Sequence, residues 1–488
     1  SLYHANLNSF NNGNATYVLY EDRNDDKQLW FNSIFESRIT ANIIINASLQ
    51  YRKLKSKNYA KVIDLLGGSG YLDVDTFSDG NDRQQSDLLQ PNRIVGIGDE
   101  FKYNYNLNAR IINGFVQTQF SYHKIDFYTS ASFSTSSYQR NGLFQNGKFP
   151  EENQSLGKSK KMTFKNFGFK GGFTYKITGR HLIDIHAGIV SKAPTMQNTF
   201  SNSRVNNDIV KGLKNEKTFT SSASYILRTP SVKGKITGYF TKIKDATNVS
   251  FYYADGLGGS GSGFTAFVQE IVTGINKKQF GIELGVETQL TSSFKLKGAA
   301  NIGQYTYDNN PILSLTSEIE DFEFSPRPSN LKNYKLAAGP QHAYSIGFEY
   351  RSPNYWWIGA TANFFENIYI SIAPLTRTNN FSDDGGIPFN DYDPFLAKQL
   401  LKQEKFDNYM VVNAVGGKSW KIDNYYVSAF ASVSNLLNVN YKTGGVEQGR
   451  NANFRELRDD KALDKPIFGA KYWYGRGTTY FLNLNVRF

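Results

Sequence analysis

Two acidic runs carry the side chains best suited to chemistry in this chain. Asp73-Val74-Asp75 leads to Asp79-Gly80-Asn81-Asp82, and Asp383-Asp384 leads to Asn390-Asp391-Tyr392-Asp393. A hard cation such as Ca²⁺ takes several oxygen ligands from a turn-forming loop, so Asp73, Asp75, Asp79, Asp391 and Asp393 are the candidate ligands. Neither run has the closing Glu of an EF-hand loop. Asn and Gly among the acids fit solvated turns, which is the reading these residues favour over a metal site. Catalysis has less support. The five histidines are His4, His123, His181, His186 and His342. His181 and His186 share a strand-like segment at an odd separation, so they project to opposite faces. No HExxH, phosphate-binding loop or G-x-S-x-G is present, and a chain without Cys has no thiol nucleophile. The residues read as a non-enzyme with no resident cofactor.

The elements that would hold these residues are strands. The last segment, YFLNLNVRF, puts Leu482, Leu484, Val486 and Phe488 on one face and Asn483, Asn485 and Arg487 on the other. Such alternation sets one face against an apolar medium and the other against water. Asn42 to Tyr51 alternates in the same way, apart from Ile44. In Phe101 to Ile111 the odd positions are apolar and read as outward, with Lys102, Asn104, Asn106, Asn108 and Arg110 inward. Near Asn113-Gly114 the apolar phase moves to Val116, Thr118, Phe120 and Tyr122, which predicts a bulge. Phe167–Ile177, Ile282–Leu290, Phe294–Ile302 and Tyr344–Tyr350 alternate cleanly. Inward positions also carry Lys170, Lys176, Lys295, Lys297, Glu283 and Glu287. Such charges keep a wall wet, and they could also select an anionic solute.

Short turns predicted at His123-Lys124, Thr178-Gly179-Arg180, Thr229-Pro230-Ser231, Ser292, Ser352-Pro353-Asn354 and Ile422-Asp423-Asn424 join strands in pairs. Long polar connections lie between the pairs, at about residues 54–99, 140–160, 191–214, 253–263, 309–334, 373–407 and 438–475. Aromatics gather beside the short turns: Tyr355, Trp356 and Trp357 at one, Trp420, Tyr425 and Tyr426 at another. Short turns at one end, long loops at the other and an aromatic girdle describe a transmembrane antiparallel β-barrel. No apolar run approaches the ~18 residues of a spanning helix, and the mean hydropathy of −0.48 is compatible with strands that show lipid only half their residues. A net charge of +12 would ordinarily raise nucleic acid as a partner. Here Lys and Arg are spread along alternating strands and loops, so lipopolysaccharide or an anionic solute is as natural a counter-charge and nucleic acid is not expected.

Several segments, in order, resemble TonB-dependent outer-membrane transporters. Ser191-Lys192-Ala193-Pro194-Thr195 is similar to the family's small-residue and Pro segment leaving a mid-barrel strand. Gly212 to Lys217, with Glu216, resembles the entry to the next strand. KITGYFTKIKDAT, ending in Asp245-Ala246-Thr247, looks like the family's Y-F-x-x-I-x-D strand. Phe280 to Glu287, with Glu283, resembles a G-x-E strand. Asn435-Leu436-Leu437-Asn438-Val439-Asn440-Tyr441 is close to the signature before the last long loop, and the chain ends on Phe488. The resemblance covers about residues 160–488 well and the earlier part more loosely.

The resemblance implies a location in the bacterial outer membrane and a 22-stranded barrel closed by a plug domain and energised through a short TonB-contact segment. Neither plug nor contact segment is visible. About 16 strands are counted, so all 488 residues read as the C-terminal portion of such a barrel. Residues 1–27 show only one short strand-like run, Thr16 to Leu19, and the last strand is expected to pair with a strand encoded before Ser1. The Asn-, Tyr- and Lys-rich composition resembles Bacteroidota members, some of which carry a surface lipoprotein lid. The implied function is active import of a siderophore, oligosaccharide or peptide. A passive porin and a structural barrel in an assembly or secretion complex are the alternatives.

Overall fold

The computed structural model describes residues 1–7, 13–78, 80–257, 265–318, 322 and 324–488. Most of the chain is one 18-stranded antiparallel sheet. Three of its strands are short flaps at 157–158, 312–317 and 327–328. The other fifteen follow one another in chain order. They are β1 (Leu19–Thr40), β2 (Ile43–Asp64), β3 (Glu100–Ser121), β4 (Ile125–Gly142), β5 (Met162–Lys176), β6 (His181–Lys192), β7 (Glu216–Arg228) and β8 (Val232–Ala254). They continue with β9 (Ala266–Gln289), β10 (Phe294–Tyr307), β11 (His342–Arg351), β12 (Trp356–Glu366), β13 (Tyr409–Ile422), β14 (Tyr425–Ser434) and β15 (Thr479–Arg487). The helices α1 (Leu2–Leu7), α2 (Pro394–Leu400) and α3 (Phe454–Lys461) are short. Among the described residues, no helix is long and apolar enough to cross a membrane.

Each predicted short turn joins a strand pair, and Ala41-Asn42 adds another between β1 and β2. All short turns lie at one end of the sheet and all long loops at the other. Fifteen long strands stand where about 16 were expected, and two element bounds differ. Of Thr16 to Leu19 only Leu19 is in a strand: it opens β1, which runs to Thr40 although its apolar residues do not alternate. The predicted connection from residue 54 begins only after Asp64, because β2 continues well past one membrane crossing.

Cross-strand partners share a face of the pleat, so the register maps both faces. Ile43, Ile45, Ala47 and Leu49 lie opposite Phe120, Thr118, Val116 and Gly114. Those in turn lie opposite Phe127, Thr129, Ala131 and Phe133. This apolar face continues to β15, where Leu482, Leu484 and Val486 meet Ala431, Ala429 and Val427. The other face carries rows such as Asn46, Gln117, Ser130 and Lys170.

The bulge expected at Asn113-Gly114 is absent. Asn113 pairs with Gln50 and Ser134, and Gly114 with Leu49 and Phe133, with no break in either ladder. The apolar phase changes because the apolar surroundings change sides. Tyr105, Leu107 and Ala109 lie on the polar-wall face, beside Leu54 and Tyr138, and are buried against loop residues Leu65, Val95, Ala193 and Phe200. Beyond the phase change, Val116 and Phe120 point the other way. The upper half of β3 is therefore half of a protein core, and the lower half carries the apolar outer surface. The real bulge of this strand pair sits higher, at Tyr59/Ala60, where Lys102 takes φ +61°.

Candidate functional site

The polar wall runs from Asn46 and Gln117 on β2 and β3 round to Asn483 and Asn485 on β15. Near the short-turn end it carries an ion ladder. Lys295 pairs with Glu287 at 3.2 Å, and Glu349 receives Lys297 at 3.0 Å and Arg351 at 2.5 Å. Above this ladder Glu283 stands between Thr237 and Asn301. These three, with Lys235, Ser345 and Asn363, rim a depression of about 430 Å³ floored by Gly285, Ala299 and Ala343. Small residues on adjacent strands leave room there for polar contacts from another molecule. Tyr239 closes its upper side, donating to Asn301 Oδ1 at 3.0 Å beside the Tyr305 hydroxyl at 2.6 Å. Further round the wall, Thr174 donates to Asp184 Oδ1 at 2.8 Å, Asp184 Oδ2 bonds His186 Nε2 at 2.8 Å, and His186 Nδ1 lies 3.2 Å from the Tyr128 hydroxyl. His181 is on the opposite face, opposite Leu227.

Six of the eight charges expected to point inward lie on this wall. Arg110 does not: it lies opposite Lys53 on the outer face. Lys102 sits on the bulge with its ammonium 4.0 Å from the Tyr20 ring. Both misplacements follow from the face exchange in β3. Of the aromatics beside the short turns, Trp356 is on the apolar face and Trp357 on the polar face, adjacent to Arg351.

The long loops form a packed crown. Arg377 is buried and pairs with Glu447, and its Nη2 also donates to Leu401 O at 3.0 Å. Asn380 and Asn453 both donate to Gly256 O, tying three loops together. On the other side Arg140, 1% exposed, has no carboxylate partner among the described residues. It donates to Ser155 O, Ser203 O and Asn207 Oδ1, and burial lowers its pKa to about 10. Glu318 links the two halves through Lys148 at 2.7 Å, Asn202 at 3.0 Å and Arg83, which reaches its backbone oxygen. Burial alone would lower the pKa of the Lys148 ammonium, but Glu318 and Asp75 outweigh it and hold it above its ordinary 10.5. None of Arg140, Arg377, Glu447 or Glu318 has a local sequence signal, because its partners come from distant loops.

Four of the five acidic candidates are engaged by partners within the protein. Asp73 accepts from Arg93 Nη2 at 2.6 Å and from Lys102 N at 2.9 Å. Asp75 takes Lys148 and the Phe77 N–H. Asp391 is held between Arg455 and Arg458, at 2.7 and 2.8 Å. Asp393 caps α2 through the Phe395 and Leu396 N–H groups. Asp79 lies outside the described residues. Carboxylates already satisfied by cations and N–H donors do not fit the open oxygen cage of Ca²⁺. Among the described residues no group of three or more His, Asp or Glu could hold a metal ion.

The remaining singled-out residues sit at strand ends and joints. Pro194 is buried where the chain leaves β6, and Glu216 opens β7 opposite Lys192. Asp245 takes φ +61° at the register break of β8. Asn435, 3% exposed at φ +52°, receives Val439 N and donates to Val439 O and Arg476 O, so it closes the last long loop at its base. Leu436 donates its N–H to Val412 O, and Tyr441 stacks on Tyr409 at 4.1 Å. Phe488 is exposed.

A family model described as TonB dependent receptor-like, beta-barrel, matches residues 1–436. No curated protein matches in sequence. Among solved structures, a copper transporter, OprC, is similar with a TM-score of 0.59 and 13% identity over 95% of this chain and 57% of its own. The ferric-catecholate import receptor Fiu of E. coli K12 gives 0.53 and 12%, covering 95% of this chain and 54% of its own. The ferric yersiniabactin uptake receptor FyuA of Yersinia pestis gives 0.52 and 12%, covering 95% and 55%. The chain thus spans little more than half the length of these structures, and at such identities the likeness is one of fold.

Proposed function

Because the chain belongs to the TonB-dependent receptor β-barrel family, we propose that it forms wall and loop crown of an outer-membrane importer driven through TonB. The observation that carries this reading is the two-faced meander, with an apolar face one membrane deep, short turns at one end and a packed crown of loops at the other. The import receptors among the similar structures support a solute carried inward. Its class, whether siderophore, oligosaccharide or peptide, is set by the crown and by the molecule that fills the polar wall.

The sheet edges bear on how the barrel closes. Among the described residues β1 pairs only with β2, and β15 only with β14. Every link in the meander is antiparallel, so fifteen strands leave β1 and β15 running the same way. They cannot close on each other as an antiparallel pair. Unpaired backbone groups in lipid cost several kcal/mol each, so the ring needs an odd number of further strands. A 22-stranded ring with a plug meets that parity, and a porin closed on these strands alone does not. In this reading the plug and the TonB-contact segment belong to sequence outside this chain. A surface lipoprotein lid over the crown is a compatible partner, and outer-membrane lipid and lipopolysaccharide surround the wall.

The test is uptake by cells carrying the full-length protein. Solute entry should stop when TonB is deleted or the inner-membrane proton gradient is collapsed. Flux that continues unchanged would support a passive pore and overturn the importer.

A further inference from the structure

Above the apolar band, β2 and β3 continue side by side toward the crown, and there a lysine and an asparagine share one carboxylate. Lys57 and Asn104 are diagonal neighbours on one face of the pair, with Tyr59 directly opposite Asn104 and Lys57 opposite Asn106. Glu100, at the start of β3, stands between them. Its Oε1 pairs with the Lys57 ammonium, and its Oε2 accepts from Asn104 Nδ2 at 2.5 Å. Asn104 is 7% exposed, and its Oδ1 has no hydrogen-bond partner among the described residues. The Tyr59 ring lies under Lys57, with Nζ 4.6 Å from its centroid, and the Tyr59 hydroxyl is spent on Asp25 at 2.7 Å. Among the described residues Glu100 is the one carboxylate within ion-pair distance of Lys57. That same carboxylate holds the amide that the lysine could attack.

A second set of the same three residue types differs where it matters. In the crown, Glu318 holds Lys148 at 2.7 Å and accepts from Asn202 Nδ2 at 3.0 Å. There Asp75 adds a second carboxylate to Lys148, at 2.7 Å, and the two acids together hold its ammonium above its ordinary pKa. A lysine kept charged by two acids has no lone pair to offer. Lys57 is held by one acid, on neighbouring strands whose register fixes it beside Asn104.

We propose that Lys57 and Asn104 join in an intramolecular isopeptide bond, with Glu100 carrying the proton. A proton passes from the Lys57 ammonium to Glu100, which frees the Nζ lone pair. Nζ attacks Asn104 Cγ, the Nζ–Cγ bond forms and the Cγ–Nδ2 bond breaks. A second Nζ proton moves to Nδ2, which leaves as ammonia. The ammonia then takes the proton that Glu100 held, so ammonium departs and Glu100 ends as it began. Neither an oxidant nor a cofactor enters. Lys57 and Glu100 each keep about a third of their side-chain surface in water, so the ion pair is the resting form and the reaction is slow. Loss of ammonia makes it irreversible, and each molecule has to react only once. The position gives the bond a use. The β2–β3 ladder breaks at Tyr59/Ala60, beside these residues, and a chain without Cys has no disulfide to fix the register there. The bond would staple the base of loop 65–99, whose Asp75 and Arg83 tie into the crown through Lys148 and Glu318. It is independent of any solute and of TonB.

The full-length protein is purified from outer membranes, digested with trypsin and mapped by tandem mass spectrometry. Trypsin does not cut after an acylated lysine, so wild type should yield residues 56–61 joined to residues 103–110, lighter than the two peptides together by one ammonia, about 17 Da. Lys57→Arg and Glu100→Gln should each abolish the joined peptide, and Lys148 and Asn202 should stay unjoined in wild type. Recovery of only the separate peptides from wild type would overturn the proposal, and that result does not depend on any variant folding. A joined peptide at wild-type yield in Glu100→Gln would overturn the role given to Glu100. Fragment ions that place the bond on Asn106, directly opposite Lys57, would overturn the choice of Asn104.

Discussion

Arg377 and Glu447, 70 residues apart in the chain, form a two-point ion pair that locks one long loop of the crown to another, with Arg377 Nη2 donating to Glu447 Oε1 at 3.1 Å. Arg377 is 5% exposed, and its Nη1 also reaches the Thr376 hydroxyl at 2.7 Å. Removing one partner of a buried pair strands the other charge, at a cost of roughly 3–5 kcal/mol. Glu447→Ala should therefore expose loop 367–408 to protease and raise its hydrogen exchange, with the strands unaffected. Unchanged protection of that loop would show that the crown does not depend on the pair.

Asp391 gives the crown a dependence on acid. Hydrogen bonds from Arg455 and Arg458 hold its carboxyl at about 2, below the ordinary 3.8. A depressed carboxyl contributes stability that is present above the ordinary value and lost as pH falls through the lowered one. Contacts between the 390–393 segment and α3 should persist at pH 4 and weaken toward pH 2, and Asp391→Asn should abolish that step. Tyr392 fluorescence against pH reads it directly.

Glu270 acts in the opposite sense. It lies in the part of β9 above the apolar band, fully buried, and burial raises its pKa even though Tyr252 and Ser250 donate to it. A carboxyl that holds its proton more tightly when folded loses stability as pH rises from its ordinary 4.5 through the raised value. Crown stability in wild type should fall over that window, and Glu270→Gln should flatten the slope. A steeper slope in the variant would refute the assignment.

Leu484 and Asn485 are neighbours on opposite faces of β15. An Arg on the lipid side costs ~2–4 kcal/mol at mid-membrane and less near an interface, whereas the polar wall tolerates it. Refolding into vesicles should suffer with Leu484→Arg and not with Asn485→Arg. Equal behaviour would mean the face assignment is wrong.

The ends of the sheet should be distinguishable on intact cells. A protease site inserted at Gly385-Gly386, where both residues have positive φ in an exposed turn, should be cut from outside. The same insert at Thr229-Pro230-Ser231 should be protected. The reverse result would invert the topology.

The sequence by itself determined the alternating strands from Ile43 onward, the turns between them and the two faces of the lower wall, because the pleat repeats every two residues and turn residues act locally; β1, whose apolar residues do not alternate, was not legible in this way. Leu484 against Asn485 and Ser352-Pro353-Asn354 needed no distant partner. Family membership was legible in the same way, through several short segments in family order. Only the tertiary structure decided which apolar medium each face meets. In β3 Leu107 and Val116 look alike in sequence, yet loops bury one and the outer surface carries the other, since burial by a loop and burial by lipid select the same residue types. Tertiary structure also decided the fate of the acids and the placing of the cations. Asp391 reads in sequence as a turn acid and weak candidate ligand, and only the fold brings Arg455 and Arg458 to it from another loop, as only strand register sets Lys53 opposite Arg110. Those pairings depend on long-range contacts, which a local pattern does not encode.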